Sequence, residues 1–375
     1  MTPFETYDDL LEAVERTGAS YQVLNRTPAG HPILDIRTGG DEGPAVLVTA
    51  GAHATEQAGV SAAVALLDRL ETDHEVHVIP SRDPIGLDGY PSALSRILGR
   101  DVHLESFDDL EILLDREGHV VHREEDIRLA LIGDMGFATK RPESNGDSSQ
   151  LYLLKYLKKI QHESPEVLEP FKGRRICLPA GQPGIPGSGT FDRAYTLVVG
   201  PNGQLLHLNR FFDTPWAPVE VECTRQVMAN IEPALSFDLH ETQLIEDRFY
   251  FGVNQHGADE EWERKLGRAI QTSTAEAGAE FATEADVARV SNITVADPDD
   301  RPPERPEGVK LLEEGCYLYP DPSAGAEGLN ATHLEARDHG PSIGTETGMW
   351  GAFEDRVEIL LTVVEAGVEA LEAHH

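Results

Sequence analysis

The chain has 375 residues, 40% of them hydrophobic and 26% charged, a balance that excludes a disordered chain and leaves room for one large domain or two ordinary ones. Acidic residues outnumber basic ones 66 to 31, for a formal net charge of -35, and such a field repels nucleic acid and anionic membrane surfaces. No run approaches the roughly 18 consecutive apolar residues of a membrane helix, and Cys177, Cys223 and Cys316 stand far apart without C-x-x-C spacing, against a disulfide framework or a cysteine metal site. The first segment, MTPFETYDDLLEAVERTG, patterns as an acidic amphipathic helix over 4–16. It lacks the basic flank and apolar run of a signal peptide, so a cytoplasmic location is expected. YQVLNRTPAGHPILDIRTG follows as a hairpin around a Pro-Ala-Gly turn.

AVLVTAG is a short apolar run bounded by glycine, the pattern of a buried central strand. It leads through AHATEQ into GVSAAVALLDRL, spaced as a helix that packs on a sheet, and then into HEVHVIPSRDP, a second strand ending in a proline-containing loop. A strand, helix, strand series of this kind predicts an α/β fold, with a mixed, largely parallel central sheet flanked by helices. The stretch at about 99–190 is richer in charge; DIRLALIGDM and SQLYLLKYLKKIQ pattern as helical pieces, and LPAGQPGIPGSGT as a closing loop. It is expected to be a helical and loop insertion in a single catalytic domain over 1–375. The core resumes with QLLHLNRFF, the strand PALSFDLHET, the helix WERKLGRAIQTSTAEAG, the strand PSIGTETG and a long final helix, EDRVEILLTVVEAGVEALEAH. Acidic residues are spread over ordinary helix faces and loops, and arginine exceeds lysine, which suggests a hydrated surface suited to high salt.

A catalytic zinc site takes three ligands from His, Glu and Asp and leaves one position open. His53 and Glu56, in AGAHATEQ, follow a predicted buried strand, and His240 ends another, SFDLH. The C-terminal ends of strands are where open α/β sheets build sites. An H-x-x-E pair alone is weak evidence among 15 histidines. Asp238 is either a partner of His240 or a packing residue. Asn209 and Arg210 offer an amide and a guanidinium fork, suited to a carboxylate but common on surfaces. Glu346, at the end of a small-residue strand, is a candidate general base.

Taken in order, AVLVTAGAHATEQ, HLNRFFDTPW, FDLHET and GTETG resemble the zinc carboxypeptidases related to carboxypeptidase A (the M14 family), with their H-x-x-E pair, Asn-Arg segment, later strand-end His and T-x-E glutamate. Upstream, TPAGHPILDIRTGGDEGPAVLVTAGAHATE and PSRDPIGLDGY are similar to the family's hairpin and its N-P-D-G-Y loop. The resemblance implies a metallocarboxypeptidase with Zn2+ on His53, Glu56 and His240. It implies Arg210 with Asn209 as the anchor of a substrate's free carboxylate, Glu346 as base and then acid, Arg193 as the arginine that polarises the scissile carbonyl, and Tyr319 as the tyrosine that closes over substrate. Succinylglutamate desuccinylase and aspartoacylase, which hydrolyse N-acyl amino acids, share the H-x-x-E, L-N-R and D-L-H segments and are the alternative within the superfamily. A non-catalytic carboxylate-binding module is the alternative of another class. The chain departs from the family at Ala54 and Thr55, which replace its H-x-R-E arginine, and at His207, which stands where the family has an acidic residue before Asn-Arg.

Overall fold

The computed structural model describes residues 2–141, 149–181, 185, 189–291, 307–320 and 328–375. Four strands come first: β1 (Ser20–Arg26), β2 (Pro32–Gly39), β3 (Val46–Ala50) and β4 (Glu75–Ile79). A separate group follows, β5 (His119–Glu124), β6 (Ile127–Ile132), β7 (Met135–Lys140), β8 (Arg174–Pro179), β9 (Ala194–Val199) and β10 (Leu205–His207). The chain then returns to the first sheet with β11 (Leu235–Leu239), β12 (Glu241–Thr242), β13 (Phe249–Asn254), β14 (Lys310–Glu313), β15 (Cys316–Tyr319) and β16 (Ser342–Gly348). The larger sheet runs β1-β2-β4-β3-β11-β16-β13-β15-β14, with β12 beside β16. β4, β3, β11 and β16 are parallel, while the β1–β2, β2–β4, β16–β13 and β15–β14 pairs are antiparallel. The fold is therefore mixed α/β, as expected.

β3 shows why its run is apolar throughout. Val46, Val48 and Ala50 face one core, shared with the helices Tyr7–Thr17, Gln57–Arg69, Glu260–Glu276 and Phe353–Glu372. Leu47 faces the other, with the helices Val219–Ile231 and Ala331–Asp338. A strand buried on both faces has no polar side to alternate with. From β3 the chain crosses to β4 on one side, and from β11 it continues to β12 and β13 on the other. The gap between the ends of β3 and β11 is thus a switch point, the place where open α/β sheets open a crevice.

The segment expected to be helices and loops is instead organised around a second sheet, ordered β10-β9-β8-β7-β6-β5. DIRLALIGDM is not helical: Ile132 pairs with Met135 across a two-residue Gly133-Asp134 turn, with Gly133 at φ 55°. A glycine with positive φ at the first turn position matches the twist of a hairpin. The helix Ser149–Glu163 forms where SQLYLLKYLKKIQ predicts it, and Leu153, Leu154, Leu157 and Ile160 cover one face of this sheet. The sheet also runs past residue 190 to His207, so QLLH belongs to it and not to the main sheet. Part of the loop LPAGQPGIPGSGT lies outside the described residues. Among the described residues, no helix is long and apolar enough to cross a membrane.

Candidate metal centre

At the end of β3, Gly51 takes φ 61° and packs against Val60 and Ser81, a turn that L side chains rarely adopt. The chain then passes His53 and enters the helix Gln57–Arg69 at Glu56, which holds the N-cap position without capping it. The cap comes from elsewhere: Ala58 N donates to Glu241 Oε2 at 2.6 Å. Glu56 is thereby left to face His53 and His240, and its negative charge lies at a helix N-terminus, where the dipole favours it. Its Oε1 lies 2.6 Å from His53 Nδ1 and its Oε2 2.7 Å from His240 Nδ1. Burial alone would raise the Glu56 carboxyl, but the two imidazoles outweigh it and hold the group below its ordinary value.

His240 follows β11 and is set by its main chain, whose N–H donates to Thr345 Oγ1 at 2.9 Å and whose carbonyl accepts from Thr347 N at 3.2 Å. Its Nε2 lies 2.8 Å from Asp238 Oδ2 and 2.9 Å from Asn209 Nδ2. Asp238 is in turn clamped. Arg82 Nη2 donates to both its oxygens, at 2.6 and 2.5 Å, and Thr49 Oγ1 donates to Oδ1 at 2.9 Å. Burial would lower the His240 imidazolium, but Asp238 and Glu56 push it well above the usual histidine value. On the other side, His53 Nε2 lies 2.8 Å from His207 Nδ1, and its ring stacks on Tyr195 with centroids 5.3 Å apart.

His53, Glu56 and His240 each offer one ligand atom, all within 4.8 Å of one another. Both Nδ1 atoms face Glu56 while both Nε2 atoms have partners elsewhere, the arrangement that fixes a histidine tautomer with its lone pair toward a metal. Two imidazoles and a carboxylate suit zinc. Glu346 lies on β16 between Thr345 and Thr347, the residues that hold the His240 main chain. Burial pushes its carboxyl well above the usual range, Glu56, Asp238 and Glu241 add to this, and His240 opposes it.

The other expected site residues divide. Arg210 is half-buried beside the centre; its Nη1 donates to the Asn209 carbonyl at 2.7 Å, and its main-chain N–H to His207 O at 3.1 Å. The next residue, Phe211, is bulky yet takes φ 70°, held by full burial and edge contact with Trp216. Such backbone persists only where packing imposes it. Asn209, expected to help Arg210 hold a carboxylate, has its amide engaged within the protein. Its Oδ1 accepts from Arg82 Nη1 at 3.1 Å and from Ala331 N at 3.2 Å, and its Nδ2 faces His240. Arg193, the expected carbonyl polariser, is engaged by backbone carbonyls. Its guanidinium donates to the carbonyls of Phe4, Glu5, Leu87 and Asp192 and to Gln57 Oε1, and the residue is 3% exposed. It ties the N-terminal segment to the site's outer wall. Tyr319 is a residue of β15, its ring laid against Gly252 of β13, so a strand and not a loop carries it; the DPSAG that follows lies outside the described residues.

Two residues at the centre escape a reading of the sequence, Arg82 and Tyr195. His207 is visible in it only as a departure from the family pattern.

No family model matches the sequence, and no curated protein matches it. Among solved structures, carboxypeptidase A of Helicoverpa armigera is similar over 98% of this chain and 73% of its own, at 12% identity and a TM-score of 0.44. A metallo-carboxypeptidase of Burkholderia cenocepacia is similar over 98% and 68%, at 13% identity and a TM-score of 0.45. A metallo-carboxypeptidase of Pseudomonas aeruginosa, in complex with (2-guanidinoethylmercapto)succinic acid, is similar over 98% and 67%, at 11% identity and a TM-score of 0.47. These are similarities in the path of the chain; the chemistry rests on the residues described above.

Proposed function

We propose that the chain is a zinc-dependent hydrolase of the metallocarboxypeptidase type, cutting an amide in a substrate that carries a free carboxylate. The observation that carries this reading is the convergence of His53, Glu56 and His240 at a switch point of the sheet, with Glu346 on the strand that holds His240. The three side chains are the ion's holders. When bound, zinc polarises a carbonyl and acidifies water. Glu346 takes the proton of the water that attacks the amide carbon and then passes it to the leaving nitrogen. In the metal-free protein, burial among carboxylates raises the Glu346 carboxyl. Arg210 orients the substrate through its carboxylate. A C-terminal peptide bond and an N-acyl amino acid both meet this description.

The test is zinc content by mass spectrometry, with turnover of a panel of C-terminal peptides and N-acyl amino acids, for the wild type and Glu346→Gln. The substitution is expected to retain zinc and to lose about 10²–10⁴ in kcat. A wild type that takes up no zinc, or a Glu346→Gln enzyme with unchanged turnover, would sink the proposal.

A further inference from the structure

The two histidines of the centre are held by different parts of the molecule. His240 is supported from the main sheet, through Asp238 and Arg82. Behind His53, no carboxylate stands among the described residues. Its Nε2 meets His207 Nδ1 at 2.8 Å, and its ring lies on Tyr195, centroids 5.3 Å apart and planes 22° from parallel. His207 ends β10 and Tyr195 lies on β9, neighbouring strands of the second sheet. We infer that His207 is a positioning residue for the metal centre: its Nδ1 accepts the Nε2–H of His53 and so holds the His53 ring with Nδ1 toward Glu56 and His240, where a metal would replace the Nδ1 proton that Glu56 accepts. This rests on the reading of the three residues as metal ligands.

The argument is one of geometry. A neutral imidazole carries one N–H and one lone pair, so fixing the partner of one nitrogen decides the state of the other. His207 is 5% exposed, and its neighbour Leu206 packs in the core between the two sheets, so its ring has little freedom to leave. Groups in this position behind a metal-bound histidine typically change metal affinity about 10- to 100-fold when removed. The second sheet, in this view, sets the affinity of a site whose ligands all belong to the first.

Three proteins test the inference: wild type, His207→Ala and His207→Asn. The Asn Oδ1 falls close to the place of the His Nδ1, so His207→Asn keeps an acceptor for His53 without the ring. Zinc affinity is read by competition with a chelator at fixed pH. The tautomer of His53 is read in the zinc-free protein by long-range proton–nitrogen correlation on histidine-labelled samples, with His53→Gln assigning the resonance. His207→Ala is expected to bind zinc about 10- to 100-fold more weakly and to lose the hydrogen-bonded Nε2–H of His53. His207→Asn is expected to recover most of both. Folded His207→Ala with wild-type zinc affinity and an unchanged His53 tautomer overturns the inference. So does a His207→Asn protein no better than His207→Ala in both readouts. A wild type without zinc affinity overturns the hydrolase reading instead, and the tautomer measurement still decides whether His207 orients His53.

Discussion

Arg82→Met is the sharpest test of how the His240 side of the centre is built. Arg82 and Asp238 are 3% and 1% exposed, joined by two hydrogen bonds of 2.6 and 2.5 Å. Replacing the guanidinium with an apolar chain leaves Asp238 as a buried carboxylate with Thr49 and His240 as its remaining partners, and Asn209 loses a donor to its Oδ1. Breaking a buried pair in this way costs about 3–5 kcal/mol. With an unfolding entropy near 2.1 cal/mol/K per residue, the 375-residue chain loses roughly 1.3 °C of Tm per kcal/mol, so the zinc-free variant should melt about 4–6 °C lower. Burial would raise Asp238, but Arg82 and His240 hold it well below the carboxylate range. A depressed carboxyl stabilises above its unfolded value, near 4, and loses that contribution as the pH falls. The deficit of Arg82→Met is therefore full at pH 7 and shrinks below about pH 4. Circular-dichroism melts in chelator, run as a cycle with Asp238→Asn, measure the coupling directly. A shift under about 1 °C, or single changes that add within about 0.5 kcal/mol, would refute the clamp.

Three further outcomes follow from the same geometry. Zinc at 100 times its Kd should stabilise the wild type by about 2.7 kcal/mol, and His53→Ala and His240→Ala should lose that increment in a thermal-shift assay; equal shifts in all three proteins would put the ion elsewhere. Arg210→Met should lower kcat/KM about 10- to 150-fold for substrates with a free carboxylate, the worth of a charged hydrogen bond. Their amidated counterparts should be unaffected, and equal losses on both would remove Arg210 from carboxylate binding. Glu335 is buried with no hydrogen-bond partner among the described residues for either carboxyl oxygen, and burial, with Asp338 nearby, pushes it up to about 8. A raised carboxyl stabilises most below its unfolded value and loses that contribution as the pH climbs to the folded one. Glu335→Gln should therefore gain on the wild type between pH 5 and 8 in urea unfolding and level off above; a constant difference across that range would show that Glu335 does not titrate there.

The parts of the molecule legible in the sequence are those where one local pattern has one physical solution. AVLVTAG and SFDLH are apolar because both faces of β3 and β11 are buried, and His53, Glu56 and His240 stand where such strands end. The second sheet was hidden because LALIGDMGFA satisfies a helix period about as well as a hairpin. The Gly133-Asp134 pair between its two apolar runs was the available signal. Arg82 could not be found by spacing: it reaches Asp238 across 156 positions of chain, and nothing in PSRDP marks it as buried. Arg193 shows the converse. Its distance along the chain suits a site arginine, yet four backbone carbonyls had a stronger claim on its guanidinium.

These contacts give the centre an asymmetry that bears on its stability. The supports of His240 come mainly from the ends of β3, β4 and β11 and from β16, inside one sheet and its cores, with Asn209 after β10 as the exception. Those of His53 come from β9 and β10, whose own core is filled by Leu197, Leu205 and the helix Ser149–Glu163. Glu56 touches both histidines, so within the protein it is a direct bridge between the two arms, at a helix N-terminus whose cap Glu241 and Arg356 supply. An ion held by all three residues would add a second bridge, and binding energy that depends on both sheets becomes docking energy between them. Zinc should then slow hydrogen exchange in β9 and β10 more than in β13 and β15, which lie in the main sheet but do not support either histidine. Equal protection throughout would mean that the small sheet is held in place by its apolar contacts alone, with the metal a passenger on a frame already closed.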